Sequence, residues 1–236
     1  MKKKIAQKKG INPKVRVSPL SSIFIQITIA AIMLSVGMSV FFSNYLPDKT
    51  ASHWNTHGLV DGYMPKEALL AFFPLLTIII TAFLYFLPKF DPLKENVEIF
   101  RREYSVFIAV FANFMVYIFG IVIALNIGFE NNIIQLMNPG FAILFFALGY
   151  LLPKTKINYF VGIRTPWTWE NEKVWNRTHK LGGQLFNLFG ALFLVGVFLP
   201  PFYTIVLFIP FIIGLLGLCL YSYFEFKKEL RTRKSI

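Results

Sequence analysis

The chain has 236 residues, of which 56% are hydrophobic and only 15% are charged. A typical soluble domain carries about 25% charged residues, and a protein of this length has too little interior to bury so many apolar side chains. The composition therefore excludes an ordinary soluble protein, and the 17% aromatic content excludes a disordered one. A disulfide scaffold is also excluded, because Cys219 is the single cysteine.

Six apolar segments follow one another along the chain. Each is close to the roughly 20 residues that a helix needs to cross a bilayer, and none contains Lys, Arg, Asp or Glu. The sequence therefore predicts an all-α integral membrane protein with six transmembrane helices. The segments are residues 20–42, 68–87, 105–128, 133–152, 181–199 and 202–224.

The basic residues predict the orientation of these helices. Of the 24 Lys and Arg, 22 lie in the two tails and in the segments after the second and fourth spans. Only Lys49 and Lys66 lie on the opposite side, so the positive-inside rule places both termini in the cytoplasm. Charge placed in this way is attracted to anionic lipid, and the net charge of +12 thus indicates a membrane surface and no nucleic acid partner.

The same pattern predicts the domain organisation. A basic cytoplasmic tail (1–19) precedes an N-terminal membrane domain (20–128) that carries a long outside loop (43–67). A second membrane domain (129–224) carries a long inside loop (153–180), and a basic tail (225–236) ends the chain. Before the third span, charges from Glu95 to Arg102 recur at helical spacing, which predicts that this helix extends into the cytoplasm.

The outside loop contains a weak candidate for a metal site. His53, His57 and Asp61 are four residues apart, so they would share one face of a helix as a His-His-Asp zinc set. Gly58 argues against a continuous helix, and Trp54 stands where zinc proteases carry their general base. The pattern therefore favours a hydrogen-bonded turn over a metal site.

The inside loop contains three of the four tryptophans, and its sequence permits two interpretations. Thr165-Pro166 is typical of a helix start, and the helix is expected to run along the membrane surface into the fifth span. Arg164, Trp167 and His179 could form a polar pocket for a carboxylate or phosphate. Tryptophan is common at headgroup level in any membrane protein, so a structural role is the favoured interpretation.

Signatures of catalysis are missing from the sequence. It has no nucleophile elbow, no P-loop, no dinucleotide fingerprint and no Cys-x-x-Cys pair. The spans contain no charged residue of the kind that marks ion pathways, and the two halves show no repeat typical of transporters. The sequence thus predicts neither an enzyme nor a cofactor.

Two motifs in the long loops resemble known families. The outside motif resembles an uncharacterised bacterial membrane-domain family, and it consists of Pro47, Asp48, His53, Trp54, Asn55, Gly58, Asp61, Gly62 and Lys66. The inside motif is similar to the signature of the SdpI family, and it consists of Asn158, Gly162, Arg164, Thr165, Pro166, Trp167, Trp175, Thr178 and His179.

The resemblance implies a function that composition alone does not. Members of the SdpI family protect a toxin-producing Gram-positive cell from its own secreted peptide. The resemblance also implies a receptor role, in which a small cytoplasmic transcriptional repressor is held at the membrane once toxin is sensed. It supplies no catalytic residues. Two alternatives stay open, a membrane-embedded enzyme or transporter and a general envelope-stress protein.

Overall fold

The computed structural model describes residues 19–234 of the chain. The predicted tail at residues 1–19 lies outside this range except for Pro19, which begins the first helix. The described residues form eight α-helices, one β-hairpin and two short 3₁₀ turns. These elements are α1 (Pro19–Phe42), β1 (Lys49–Trp54), β2 (Val60–Pro65), α2 (Lys66–Phe86), the turn Leu87–Phe90, α3 (Lys94–Ile99), α4 (Arg101–Asn126), α5 (Ile133–Leu151), the turn Leu152–Lys154, α6 (Pro166–Glu170), α7 (Glu172–Gly196) and α8 (Pro201–Lys234).

Five of the described helices are long and apolar enough to cross a membrane, namely α1, α2, α4, α5 and α8. The chain is therefore a mostly helical, multi-pass membrane protein, as predicted. The remaining predicted span, the fifth in the chain (181–199), begins in the second half of α7. The first half of α7 carries Lys173, Arg177 and Lys180, so its uncharged part begins only at Leu181. The count of six spans stays a prediction.

Helix α4 is the centre of the N-terminal half. It packs against α1, α2 and α5, and its Ala112 and Phe119 are fully buried. The Phe119 ring stacks on Phe73 of α2 with 4.9 Å between ring centroids. Outside its contact with α4, helix α1 is mostly exposed, and apolar side chains such as Val40 point outward. In a membrane this surface is solvated by lipid.

Helix α7 lies antiparallel along α5 at close range. Glycines on α7 face α5 so tightly that an added Cβ would come within 3.2 Å of its atoms. Small residues permit this approach of two backbones in a membrane. The contacts extend from the Pro153 end of α5 to its Asn138 end, so α7 follows α5 for most of its length. The facing pairs are Gly183 with Gly149, Gly190 with Phe146, and Gly196 with Asn138.

Two predicted segments take a form in the structure that the sequence did not indicate. The extension of the third span is a separate helix, α3, because the chain leaves helical geometry at Phe100 before α4 begins. Glu98 and Arg101 still form their predicted ion pair across this break. The predicted C-terminal tail (225–236) is helical up to Lys234, since α8 continues to that residue. Its 34 residues span about 51 Å, which exceeds the roughly 30 Å hydrocarbon core.

Candidate functional site

The predicted outside loop is the hairpin segment (residues 43–67), and it contains two strands that the all-α prediction missed. Strands β1 and β2 pair antiparallel from Lys49 opposite Pro65 to Trp54 opposite Val60, with register shifts beside His53. The strands were hard to recognise in the sequence because this segment contains many turn-forming residues. The alternation that marks a strand is also broken by these shifts.

Asn55 and Gly58 of the outside motif build the turn of the hairpin. The Asn55 side-chain oxygen accepts hydrogen bonds from the backbone N–H of His57 at 2.9 Å and of Leu59 at 3.1 Å. Gly58 has a φ of 77°, a left-handed conformation that glycine adopts at little cost. An added Cβ at Gly58 would also lie 2.3 Å from the Asn132 side chain. Both motif residues are thus required by the turn itself.

The hairpin is fixed to the helices by two asparagines outside the motif. Asn126, at the end of α4, accepts a hydrogen bond from the Ala51 N–H at 2.7 Å and donates one to the Ala51 carbonyl at 3.0 Å. The Asn126 amide therefore forms with β1 the pair of hydrogen bonds that a neighbouring strand would form. Asn132 donates to the His57 carbonyl at 3.0 Å. Trp54 and Leu46 pack into the apolar cluster that contains Phe119.

The charged motif residues form two pairs on the hairpin segment. His53 Nδ1 lies 2.5 Å from Asp61 Oδ1, with 72% of the His53 side chain exposed. Lys66 lies 2.8 Å from Asp48 and holds the pKa of that carboxyl below its usual value. Gly62 stands opposite His53, where an added Cβ would lie 2.9 Å from the His53 Cβ. Pro47, beside Asp48, is exposed.

The zinc candidate of His53, His57 and Asp61 is not assembled. The helix that would align the three residues does not form, because the strands and the Asn55–Gly58 turn take its place. Within residues 19–234, the structure contains no group of three His, Cys, Asp or Glu side chains placed to hold a metal ion.

The predicted inside loop, called here the tryptophan segment (residues 153–180), begins with a turn organised by Asn158. This side chain is buried. Its amide nitrogen donates to the carbonyls of Lys156 at 2.7 Å and Val161 at 2.8 Å. Its oxygen accepts from the N–H groups of Phe160 at 2.9 Å and Val161 at 2.6 Å. Asn158 is thus a structural centre of the segment.

His179 and Trp175 form the buried core of the tryptophan segment. Their rings stack with centroids 4.0 Å apart, and the Trp175 indole N–H donates to the Thr155 carbonyl at 3.1 Å. His179 Nε2 accepts the Ile163 N–H at 2.8 Å, while Nδ1 donates to the Trp175 carbonyl at 2.8 Å. Both bonds require the neutral imidazole, and burial lowers the pKa of His179 to about 4.

Gly162 completes this core, because its backbone lies against the edge of the His179 imidazole at Nε2. Its φ is 124°, and an added Cβ would come 2.4 Å from His179 Nε2. Thr178, on the neighbouring turn of α7, is fully buried, and its hydroxyl has no hydrogen-bond partner among the described residues.

Thr165 and Pro166 start a helix, as predicted. Thr165 caps α6 through reciprocal hydrogen bonds with Thr168, and Pro166 occupies the first turn. The Thr165 hydroxyl also lies 2.9 Å from the Ser222 hydroxyl of α8. The predicted continuous helix is interrupted at Asn171, whose side chain accepts from two backbone N–H groups and starts α7.

Arg164, Trp167 and His179 do not form the polar pocket that the sequence suggested. Arg164 is exposed and donates to the Tyr159 carbonyl. The Trp167 ring lies 5.1 Å from the Tyr223 ring of α8. His179 is buried with both nitrogens engaged. The three side chains therefore have separate partners, which supports the structural interpretation for His179.

Asp91 and Asn96, which precede α4 in the chain, hold the tryptophan segment. Nothing in the sequence indicated this role. The buried Asp91 carboxylate accepts hydrogen bonds from Leu93 N–H at 2.7 Å and from Tyr159 N–H at 2.8 Å. Asn96 donates to the Ile157 carbonyl at 2.7 Å. The Asp-Pro pair at 91–92 is typical of a turn, but no local pattern identifies its distant partner.

The fold and these segments define a helical multi-pass membrane protein with an ordered structure at each end of its bundle. Residues 154–222 match the SdpI/YfhL protein family, and residues 30–78 match DUF1648, a domain of unknown function. The chain is 24% identical over 204 residues to Immunity protein SdpI of Bacillus subtilis (strain 168), which covers 86% of this chain and 95% of that protein. The predicted resemblance is confirmed. No solved structure matches the chain.

Proposed function

We propose that this chain is a membrane immunity protein that protects its cell against a secreted antimicrobial peptide. The similarity to SdpI carries the proposal, because it extends over 95% of that protein. The two family matches also include both ordered segments. A relationship to an immunity protein favours a role without catalysis.

Six crossings with both termini in the cytoplasm fit this function best. The division of 22 basic residues against two supports that orientation. Helix α7 follows α5 from one end to the other, which supports a sixth crossing despite the charged first half of α7. The hairpin segment would then face the outside and the tryptophan segment the cytoplasm.

The hairpin segment offers a surface that suits a membrane-active peptide. It is held rigidly by Asn126 and Asn132, yet it exposes the large apolar side chains of Tyr45, Leu59 and Tyr63. Exposed apolar groups at headgroup level match the apolar face of an amphipathic peptide. A preorganised surface also loses little conformational entropy on binding.

Survival of a sensitive cell tests the proposal. A Gram-positive host that expresses the chain should survive a cognate peptide that kills the same host carrying an empty vector. Leu59→Ser should reduce protection, since Leu59 is 64% exposed at the hairpin turn. Phe198→Ser is the matched control, because Phe198 is also exposed but lies in the turn before α8. Unchanged killing across a panel of such peptides, with the protein verified in the membrane, would contradict the proposal.

The tryptophan segment is the proposed binding site for a cytoplasmic repressor. Arg164 presents an exposed guanidinium, a planar group with five donors that lysine does not reproduce. Arg164→Lys keeps the charge and the attraction to lipid, so we expect normal membrane abundance but loss of repressor recruitment. Lys180→Arg, another exposed and charge-conserving change, should leave recruitment intact. Full recruitment by Arg164→Lys would assign Arg164 to anchoring alone.

A further inference from the structure

An apolar cavity of about 250 Å³ opens between α1, α2 and α4. Aliphatic and aromatic side chains, among them the phenol of Tyr85, form most of its wall, together with three Thr and Ser hydroxyls. These hydroxyls are already bonded to carbonyls of their own helices, Thr28 to Phe24, Thr81 to Thr77 and Ser105 to Arg101. The Thr and Ser hydroxyls are thus occupied, and the mostly apolar wall suits a hydrocarbon chain.

One cation lies beside the cavity. Tyr85 and Phe86 line it at the end of α2, and Lys89 Nζ lies 4.5 Å from the Phe86 ring centroid and 5.6 Å from that of Tyr85. Within residues 19–234, Lys89 has no acidic partner. The nearby Arg101 is already paired with Glu98. The cavity thus joins an apolar wall to the positive charge of Lys89, which no carboxylate of the described residues neutralises.

The occupant that combines these properties is an anionic amphiphile. The charge distribution predicts that this end of α2 faces the cytoplasm, where the leaflet is rich in anionic lipid. Residues 1–18 are a poor alternative occupant, because their seven Lys and Arg would meet Lys89 with like charge. We propose that the cavity binds one anionic phospholipid, with an acyl chain between α1, α2 and α4 and its phosphate against Lys89. This site goes beyond the immunity function and does not depend on it.

A second cavity supplies an internal control. It has about 310 Å³ and lies on another side of α1, between α4 and α5. Its wall is equally apolar, but among the described residues no lysine lies over an aromatic ring that lines it, whereas Lys89 lies over two rings of the first cavity. Hydrocarbon alone would fill both cavities equally, whereas a headgroup preference requires the first.

Native mass spectrometry of the full purified chain tests the site, with phosphatidylglycerol and phosphatidylcholine of identical acyl chains as probes. We expect one phosphatidylglycerol to bind about fivefold more tightly than phosphatidylcholine, which corresponds to about 1 kcal/mol for one lysine near the surface. Lys89→Gln should remove this preference. Lys94→Gln, an equal charge change on exposed α3, should leave it unchanged. Glycerol 3-phosphate should not compete, because it lacks the acyl chain.

Filling the cavities separates this site from general lipid adhesion. Ala82→Trp or Ile29→Trp places an indole in the first cavity and should abolish the retained lipid, whereas Val110→Trp fills the second and should not. Each variant is compared as a monodisperse protein, and two filling variants guard against misfolding of either. Equal binding of both lipids by the unaltered chain, equal effects of Lys89→Gln and Lys94→Gln, or retention of the lipid in both filled variants would overturn the proposal.

Discussion

At the scale of single residues, His179 shows how a polar side chain is kept neutral beneath the tryptophan segment. Burial removes the water that would stabilise a charged imidazole. The Ile163 N–H also points at Nε2, so protonation of this nitrogen would bring two donors together. The pKa of His179 therefore falls from 6.5 to about 4.

This pKa predicts a pH dependence of stability. In the unfolded chain His179 gains a proton below about pH 6.5, whereas the folded protein takes it up only near pH 4. The titration of His179 thus leaves the free energy of unfolding at its full value above pH 6.5 and lowers it as the pH falls towards 4. Between pH 7 and pH 5 the loss is about 2 kcal/mol in the free energy of unfolding.

Unfolding followed by tryptophan fluorescence at both pH values provides the measurement. His179→Gln should lose most of this pH dependence, because glutamine does not titrate. His53→Gln is the control, since His53 is exposed, and should keep it. An unchanged pH dependence in His179→Gln would show that other groups cause it.

The residues of the inside motif were recognisable in the sequence, but their partners were not. Asn158 forms its hydrogen bonds within its own turn, so its structural role can be inferred from the neighbouring sequence. His179 meets Ile163, 16 residues earlier, and Asp91 meets Tyr159 across 68 positions. Such contacts depend on how the helices assemble, which one sequence does not specify.

At the scale of elements, Asn126 is the side chain through which α4 holds the hairpin by hydrogen bonds. Asn126 occupies both the N–H and the carbonyl of Ala51, and these groups lie on the outer edge of β1. A two-stranded hairpin is marginal by itself. Its attachment to α4 is thus expected to determine whether the strands stay ordered.

Asn126→Ala should release the hairpin and leave the helices intact. Loss of about 2 kcal/mol of local stabilisation corresponds to roughly 30-fold faster amide hydrogen exchange in residues 49–65. Exchange in α4 should change little. Asn113→Ala is the matched control, because the Asn113 side chain donates to the Ala109 carbonyl of its own helix and to no other group among the described residues. Equal exchange of the hairpin in both variants would contradict this assignment.

The long helices were predictable because lipid imposes both a length and an apolar composition on them. The fifth segment (181–199) was the difficult one, since its helix begins at Glu172 among charged residues and becomes apolar only later. The break at Phe100 was not predictable from charge spacing, which continues across it. Hairpins that dock on helices likewise give a weak local signal.

At the scale of the whole molecule, the two ordered segments lie at opposite ends of α5. Asn132 at its start bonds to the hairpin, whereas Pro153 beyond its end lies against Gly183 of α7. This arrangement places the two family motifs on opposite faces of the membrane if the chain crosses six times. The proposed function requires that separation, with peptide on one side and a cytoplasmic partner on the other.

Labelling of single cysteines on intact cells tests this separation most directly. In a Cys219→Ala background, cysteines replace the exposed residues Thr56, Glu170 and Arg231, and an impermeant maleimide is added. Six crossings with cytoplasmic termini predict labelling at Thr56 alone, with Glu170 and Arg231 reacting only after the membrane is permeabilised. Labelling of Arg231 on intact cells would reveal five crossings, and labelling of Glu170 would place the tryptophan segment outside. Either result would contradict the two-sided architecture.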